Sequence, residues 1–299
     1  MAKPFWKFDN SQIELPHKLP SPVFQIVSVC SGKGGVGKTM TSVNLSVLLA
    51  KAGWRITLMD GDLGLVSVKL MLPVAPAAHL GHWLAGKCKF LSLSTSTPYG
   101  FNIISAPLNE FQLQDLTDLQ QERFANLLNT IEATSDLLII DNGAGINKTV
   151  MGLCRISHRM LLVTTPDPTA MMSAYATIKA FTASLLPPSI GIIVNQARNS
   201  EEGFDTYQRL NEAISRYIGV DGTWIGYIGV CRDFRNAIKT RTPPVALRPK
   251  SPFSRSVNRT AMRLSRWLVD ENVPSQKMQA QIAVKKTLEE LKRMEPVLQ

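Results

Sequence analysis

The chain has 299 residues, 44% of them hydrophobic, and a formal net charge of +10. No stretch approaches the ~18 consecutive apolar residues of a membrane span, and Met1 to Asn10 lacks the apolar core of a secretion signal, so a cytoplasmic protein is expected. Cys30, Cys88, Cys154 and Cys231 stand far apart, which excludes a C-x-x-C metal or redox centre and predicts buried, reduced thiols.

Residues 1–22 hold Pro4, Pro16, Pro20 and Pro22 with little periodicity, and read as an extended N-terminal arm. The apolar run Val23 to Cys30 reads as a buried strand. The run Ser31-Gly32-Lys33-Gly34-Gly35-Val36-Gly37-Lys38-Thr39 follows. Met40 to Lys51 then reads as a helix closed by Gly53. Strand, glycine loop and helix form the setting in which G-x-x-x-x-G-K-[ST], here Gly32 to Thr39, binds phosphate. The glycines let successive N–H groups close around an anion, and the helix N-terminus adds its positive end. Gly32, Lys33, Gly34, Gly35, Val36, Gly37, Lys38, Thr39 and Met40 are thus the candidate nucleotide-binding residues. Lys38 is expected to reach the β- and γ-phosphates, and the Thr39 hydroxyl to ligate Mg2+.

Arg55 to Met59 reads as a second strand, leading into Asp60-Gly61-Asp62-Leu63-Gly64-Leu65. Two carboxylates two residues apart, beside a triphosphate, can bind the Mg2+ shell or orient the attacking water. Tyr99 to Ser105 reads as a strand and Leu116 to Ile131 as a helix. Leu137-Leu138-Ile139-Ile140 is a fully apolar strand ending at Asp141, the form of a Walker B element that holds Mg2+. Further strands at Met160–Thr164, Ile190–Val194 and Trp224–Gly229 alternate with helices at Asn147–Ser157, Thr169–Leu185 and Glu202–Ile218. This alternation predicts an α/β fold: one three-layer P-loop domain over 23–270, with a mostly parallel sheet flanked by helices. Ligands of such sheets bind beyond the carboxyl ends of the strands. Thr39, Asp60, Asp62 and Asp141 are the candidate metal ligands. Asn195 ends the run Ile190 to Val194, and its amide offers the donor and acceptor that match an adenine edge.

From Arg232 to Arg266 ten basic residues accompany one acid, Asp233. Such density points to an acidic partner surface: DNA, anionic lipid or an acidic protein. Residues 271–299 read as a linker and an amphipathic helix. Met278, Ile282, Leu288, Leu291, Met294 and Leu298 stand at near-helical spacing, with Lys285, Lys286, Lys292 and Arg293 between them. That helix could target a membrane or dock on the domain.

Lys33 directly follows the first glycine of the loop, and Lys33-Gly34-Gly35-Val36-Gly37-Lys38-Thr39 resembles the deviant Walker A motif of the MinD/ParA group of ATPases. The resemblance covers roughly residues 23–270. It implies an ATP-dependent sandwich homodimer in which Lys33 reaches the phosphates across the interface. Lys33 therefore joins Lys38 and Asp62 as a catalytic candidate. Asp60 to Leu65 resembles switch I, with Asp62 placing the water and Asp60 supporting it; Ser67 and Lys69 stand where the group often has Asn and Asp. Asn142-Gly143-Ala144-Gly145-Ile146 resembles switch II. The group places an adenine-contacting Asn at Asn195. Its loop Gly229 to Asp233, including Arg232, is expected to close the base pocket, with Cys231 in place of the usual Pro.

Three segments resemble the flagellar-number regulators FlhG and FleN: Asp141 to Ile146, Val163 to Thr169 with Ala174 to Lys179, and Asn195 to Gly203. The likeness implies ATP and Mg2+ as cofactors, slow ATP hydrolysis, and control of flagellar number or placement. The implied partners are a flagellar GTPase or flagellar transcription regulator, with weak anionic membrane contact at the inner face of the cytoplasmic membrane. The alternative is a ParA-type partitioning ATPase that binds nucleoid DNA. A reductase or iron–sulfur carrier of the same superfamily would need clustered cysteines.

Overall fold

The computed structural model describes residues 24–61, 67–106, 113–184 and 189–270, together with Thr287. The expected arm over 1–22, Asp62, and the linker and helix over 271–299 lie outside the described residues. The described chain opens with β1 (Gln25–Cys30), α1 (Lys38–Lys51) and β2 (Ile56–Gly61). Three short helices follow, α2 (Ser67–Met71), α3 (Leu80–Leu84) and α4 (Phe90–Leu93), then β3 (Ser94–Ser96) and β4 (Asn102–Ser105). Alternation resumes with α5 (Asp118–Thr134), β5 (Leu137–Asn142), α6 (Lys148–Arg155), β6 (Arg159–Thr164), α7 (Pro168–Ser184), β7 (Ser189–Ala197), α8 (Ser200–Ile218) and β8 (Gly222–Gly229). The described chain closes with α9 (Phe234–Thr240), α10 (Pro244–Leu247) and α11 (Pro252–Val269).

The strands form one eight-stranded sheet in the order β3-β4-β2-β5-β1-β6-β7-β8. Every neighbouring pair is parallel except β3 with β4. All residues of β1, β2, β5 and β6 are buried, as the unbroken apolar runs require of strands covered on both faces. Their alternating side chains split the core in two. Ile26, Leu138 and Ile140 pack with α5, α6 and α7 on one face. Val27, Val29, Leu137 and Ile139 pack with α1 and α11 on the other. No helix among the described residues is long and apolar enough to cross a membrane.

Side-chain caps set where several helices begin. Thr117 and Gln120 form a reciprocal capping box on α5, while Asn147, Asn199 and Ser251 cap α6, α8 and α11 through their side-chain oxygens. The strand expected from Tyr99 starts at Asn102, because Thr97 to Gly100 forms a turn with Gly100 at φ 84°. The basic segment, for which the periodicity reading named no element, contains a long helix. Phe253, Val257, Ala261, Leu264 and Leu268 of α11 are buried at helical spacing, a pattern masked by the arginines between them.

Candidate nucleotide-binding site

The strand order reverses beside β1, which lies between β5 and β6. The crevice at its carboxyl end is where open parallel sheets bind ligands, and the glycine loop occupies it. Gly37 adopts φ 88° immediately before α1, a left-handed conformation that glycine takes without penalty. Gly32 is needed for packing: a Cβ there would come within 2.0 Å of the Ser173 carbonyl oxygen on α7.

Lys38 starts α1 and is only 8% exposed. Its ammonium donates to the neutral hydroxyl of Ser31 at 3.0 Å. A buried cation held by a neutral oxygen at a helix N-terminus favours an incoming anion. Thr39 is half-buried on the same first turn. Asp60 and Asp141 are both buried and stand side by side in the β2–β5 register, with Asp141 facing Val29 on β1. The hydroxyl of Ser42 on α1 donates to Asp141 Oδ1 at 3.0 Å, which binds the Walker B strand to the helix carrying Lys38 and Thr39. Two adjacent carboxylates and a hydroxyl are the hard-oxygen donors that suit Mg2+.

Lys33 points away from Lys38. Its ammonium donates to Thr169 Oγ1 at 2.5 Å and to Asp167 Oδ1 at 3.4 Å. Asp167 also accepts the Ala170 N–H at 2.9 Å and so caps α7, with Pro168 at the first helical position. The Thr169 hydroxyl, the Ala170 amide and Lys33 hold the Asp167 carboxyl down at about 2, so this exposed anion stays charged at any physiological pH.

Asn195 is fully buried and donates from Nδ2 to the Val36 carbonyl at 2.7 Å, while Gln196, at φ 59°, donates to the Gly35 carbonyl at 3.3 Å. The end of β7 therefore braces the phosphate loop from behind. The Asn195 Oδ1 accepts no hydrogen bond among the described residues. Arg232 is exposed on the loop between β8 and α9, and burial raises the pKa of the adjoining Cys231.

The structure thus brings Lys38, Thr39, Asp60, Asp141 and Asn195 to one end of the sheet. Sequence reasoning missed three participants: Ser31 as the partner of Lys38, Ser42 as the partner of Asp141, and the Asp167–Thr169 pair on Lys33. Asp-Pro ahead of a helical run was the available signal for the last of these; the two serines carry no local signature.

Residues 27–233 match the CobQ/CobB/MinD/ParA nucleotide-binding domain. Among its relatives, the antiactivator FleN of Pseudomonas aeruginosa is 29% identical over 248 residues, covering 83% of this chain and 89% of that protein. The flagellum site-determining protein YlxH of Helicobacter pylori is 27% identical, covering 79% and 80%. The fold matches MinD from Pyrococcus horikoshii complexed with Mg-ADP at a TM-score of 0.63, with 23% identity and coverage of 80% of this chain and 94% of that one. It also matches the MinC:MinD complex of Aquifex aeolicus at 0.64, with 23% identity and coverage of 80% and 95%. With its loop, buried lysine and carboxylate pair in one crevice, the chain belongs to the CobQ/CobB/MinD/ParA family of nucleotide-binding proteins.

Proposed function

We propose that the protein is a Mg-ATP-dependent dimerising switch that hydrolyses ATP slowly and sets the number or placement of flagella. The observation that carries the nucleotide part is the buried Lys38 ammonium, held by a neutral hydroxyl behind a glycine loop and beside two buried carboxylates. Bound Mg2+ would neutralise phosphate charge. Thr39, Asp60 and Asp141 would hold it, with Asp62 contributing from the segment after β2. Lys38 and the loop amides would bind the phosphates. The free acceptor on Asn195 suits the adenine amine, with Arg232 closing the base side. Asp62 would place the attacking water.

Lys33 is the argument for a dimer. Held outward by Asp167 and Thr169, it is superfluous to a monomer that already has Lys38, and it stands where a second copy could receive it. The flagellar part rests on the likeness to FleN and YlxH. Candidate partners are a flagellar GTPase or transcription regulator. The arm over 1–22 and the helix over 271–299 would be accessory to the domain, the helix making weak contact with anionic membrane.

Size measurement by light scattering, with and without Mg-ATP, tests the switch. Asp62→Ala should bind ATP and remain dimeric, Lys33→Ala should bind ATP as a monomer, and Lys38→Ala should lose ATP binding. An Asp62→Ala protein that stays monomeric while saturated with ATP would refute the dimer.

A second reading has its own observation. Arg255, Arg259, Arg263 and Arg266 are all exposed on α11, and that helix contains no acid. This row favours a polyanion such as nucleoid DNA, as in a partitioning ATPase.

A further inference from the structure

Asn142 directly follows Asp141 at the end of β5 and is 1% exposed. Its Nδ2 lies 3.1 Å from the Val29 carbonyl, 3.4 Å from the Ile140 carbonyl and 3.4 Å from Cys30 Sγ. Two carbonyls and a sulfur around one atom identify it as the nitrogen; turned over, the amide oxygen would face both carbonyl oxygens. Val29 and Cys30 are the last residues of β1 before the phosphate loop.

The backbone ladder between β1 and β5 ends at the pair Val29–Asp141. Asn142 extends the link past that point with its side chain. Three residues on, Gly145 turns at φ 91° and its N–H donates to the Ser31 carbonyl at 3.0 Å. The turn is therefore fastened to residues 29–31 where it begins and again at Gly145. The helix after it returns to the same place: Cys154 Sγ on α6 lies 2.9 Å from Cys30 Sγ, both fully buried. Ser31, held by the Gly145 amide, is also the residue that receives Lys38 and donates to the Lys33 carbonyl at 2.9 Å.

We propose that Asn142 is a positioning residue for ATP hydrolysis, its amide clamping the turn from Gly143 to Asn147 against the phosphate loop so that loop and turn move as one. The proposal rests on the nucleotide reading of the site. A hydrolytic site loses rate when a group aimed at the transferring phosphate drifts by a fraction of an ångström, even where ground-state affinity is kept. Asn142 touches neither phosphate nor water in this scheme; it acts through Val29 and the turn.

The test is ATPase turnover and ATP affinity of the intact chain beside Asn142→Leu, Asn142→Ala and Asn142→Thr, with thermal melts to verify folding. Leu and Ala both remove the donor without adding a charge beside Asp141; the smaller Ala stands in should Leu fail to fold. Their kcat should fall about tenfold while the ATP Kd stays within about twofold, a loss confined to the transition state. Thr restores a donor, one bond nearer the backbone, and should recover part of the rate. Variants with wild-type kcat overturn the proposal while leaving the site reading intact, as does a Thr variant as impaired as Leu. A wild-type protein that binds no ATP overturns the site reading and this proposal together.

Discussion

His158 immediately precedes β6, at the end of the sheet opposite the phosphate loop, and its ring is oriented by a backbone contact. Nδ1 accepts the Ile26 N–H at 2.8 Å, so the native ring is neutral with its proton on Nε2. Burial first, and the charge of Arg159 second, lower its pKa from 6.5 to about 4. Between those values the unfolded chain binds the proton and the native chain does not. Stability is therefore fully present above pH 6.5, falls as pH drops, and levels off below about 4. The gap corresponds to about 3 kcal/mol. Urea melts across this range should show the loss in the wild-type protein and its absence in His158→Gln, which keeps an acceptor but does not titrate. Equal pH slopes in the two proteins would contradict the assignment. The neighbouring Arg159 shows the other way to keep a titratable group inside: 1% exposed, it stacks on Trp267 at 4.8 Å and donates to the Asp270 carbonyl at 3.3 Å, where α11 ends.

At the scale of elements, α11 separates two faces sharply. Its inner face is locked to the sheet: the Thr260 hydroxyl donates to the Tyr227 carbonyl at 3.0 Å and Ser256 Oγ accepts the Gly229 N–H at 3.0 Å. Its outer face carries Arg255, Arg259, Arg263 and Arg266 at intervals of three and four, a row about 16 Å long at 1.5 Å per residue. Arg259 also lies over the Tyr227 ring and donates to its hydroxyl. Replacing Arg255, Arg263 and Arg266 with Gln, whose helix propensity is close to that of Arg, should cost less than about 1 kcal/mol, with the bond from Arg255 to the Lys250 carbonyl lost. If the row binds DNA, the same change should weaken binding by more than about tenfold at low salt; unchanged DNA affinity would remove the partitioning reading. This helix also marks where the sequence was legible. The strands β1, β5 and β6 are buried throughout and built on apolar runs such as Leu137 to Ile140 and Met160 to Val163, and the phosphate loop has a fixed spacing, so fold and loop could be read directly. In α11 the same apolar spacing exists, but charge dominates a composition-based reading. The Asn142, Ser31 and Ser42 contacts join residues about a hundred positions apart or turn on loop conformation, and no local pattern encodes such pairings.

For the whole molecule, net charge sets two salt dependences of opposite sign. Each chain carries +10, so bringing two copies together costs self-repulsion that bound ATP offsets only in part. At 0.1 M salt the screening length is about 10 Å, and it shortens further as salt rises. Added salt should therefore tighten the proposed ATP-dependent dimer, provided the interface is not itself built from many cross-chain ion pairs. A polyanion behaves in the other direction. Four arginine–phosphate contacts give a slope of about −3.6 in log K against log salt, so raising salt from about 50 to about 200 mM should cost roughly 150-fold in DNA affinity. Analytical ultracentrifugation of Asp62→Ala with Mg-ATP, run at both salt concentrations, measures the first effect. Fluorescence anisotropy with a labelled duplex measures the second. A dimer that weakens with salt as steeply as the DNA complex would show that ion pairs between protomers, rather than the apposition of two like-charged bodies around nucleotide, govern assembly. Lys33 and Asp167, paired within one chain here, would then be the first residues to test for exchange across the interface: Lys33→Asp and Asp167→Lys proteins should each dimerise poorly alone and pair when mixed.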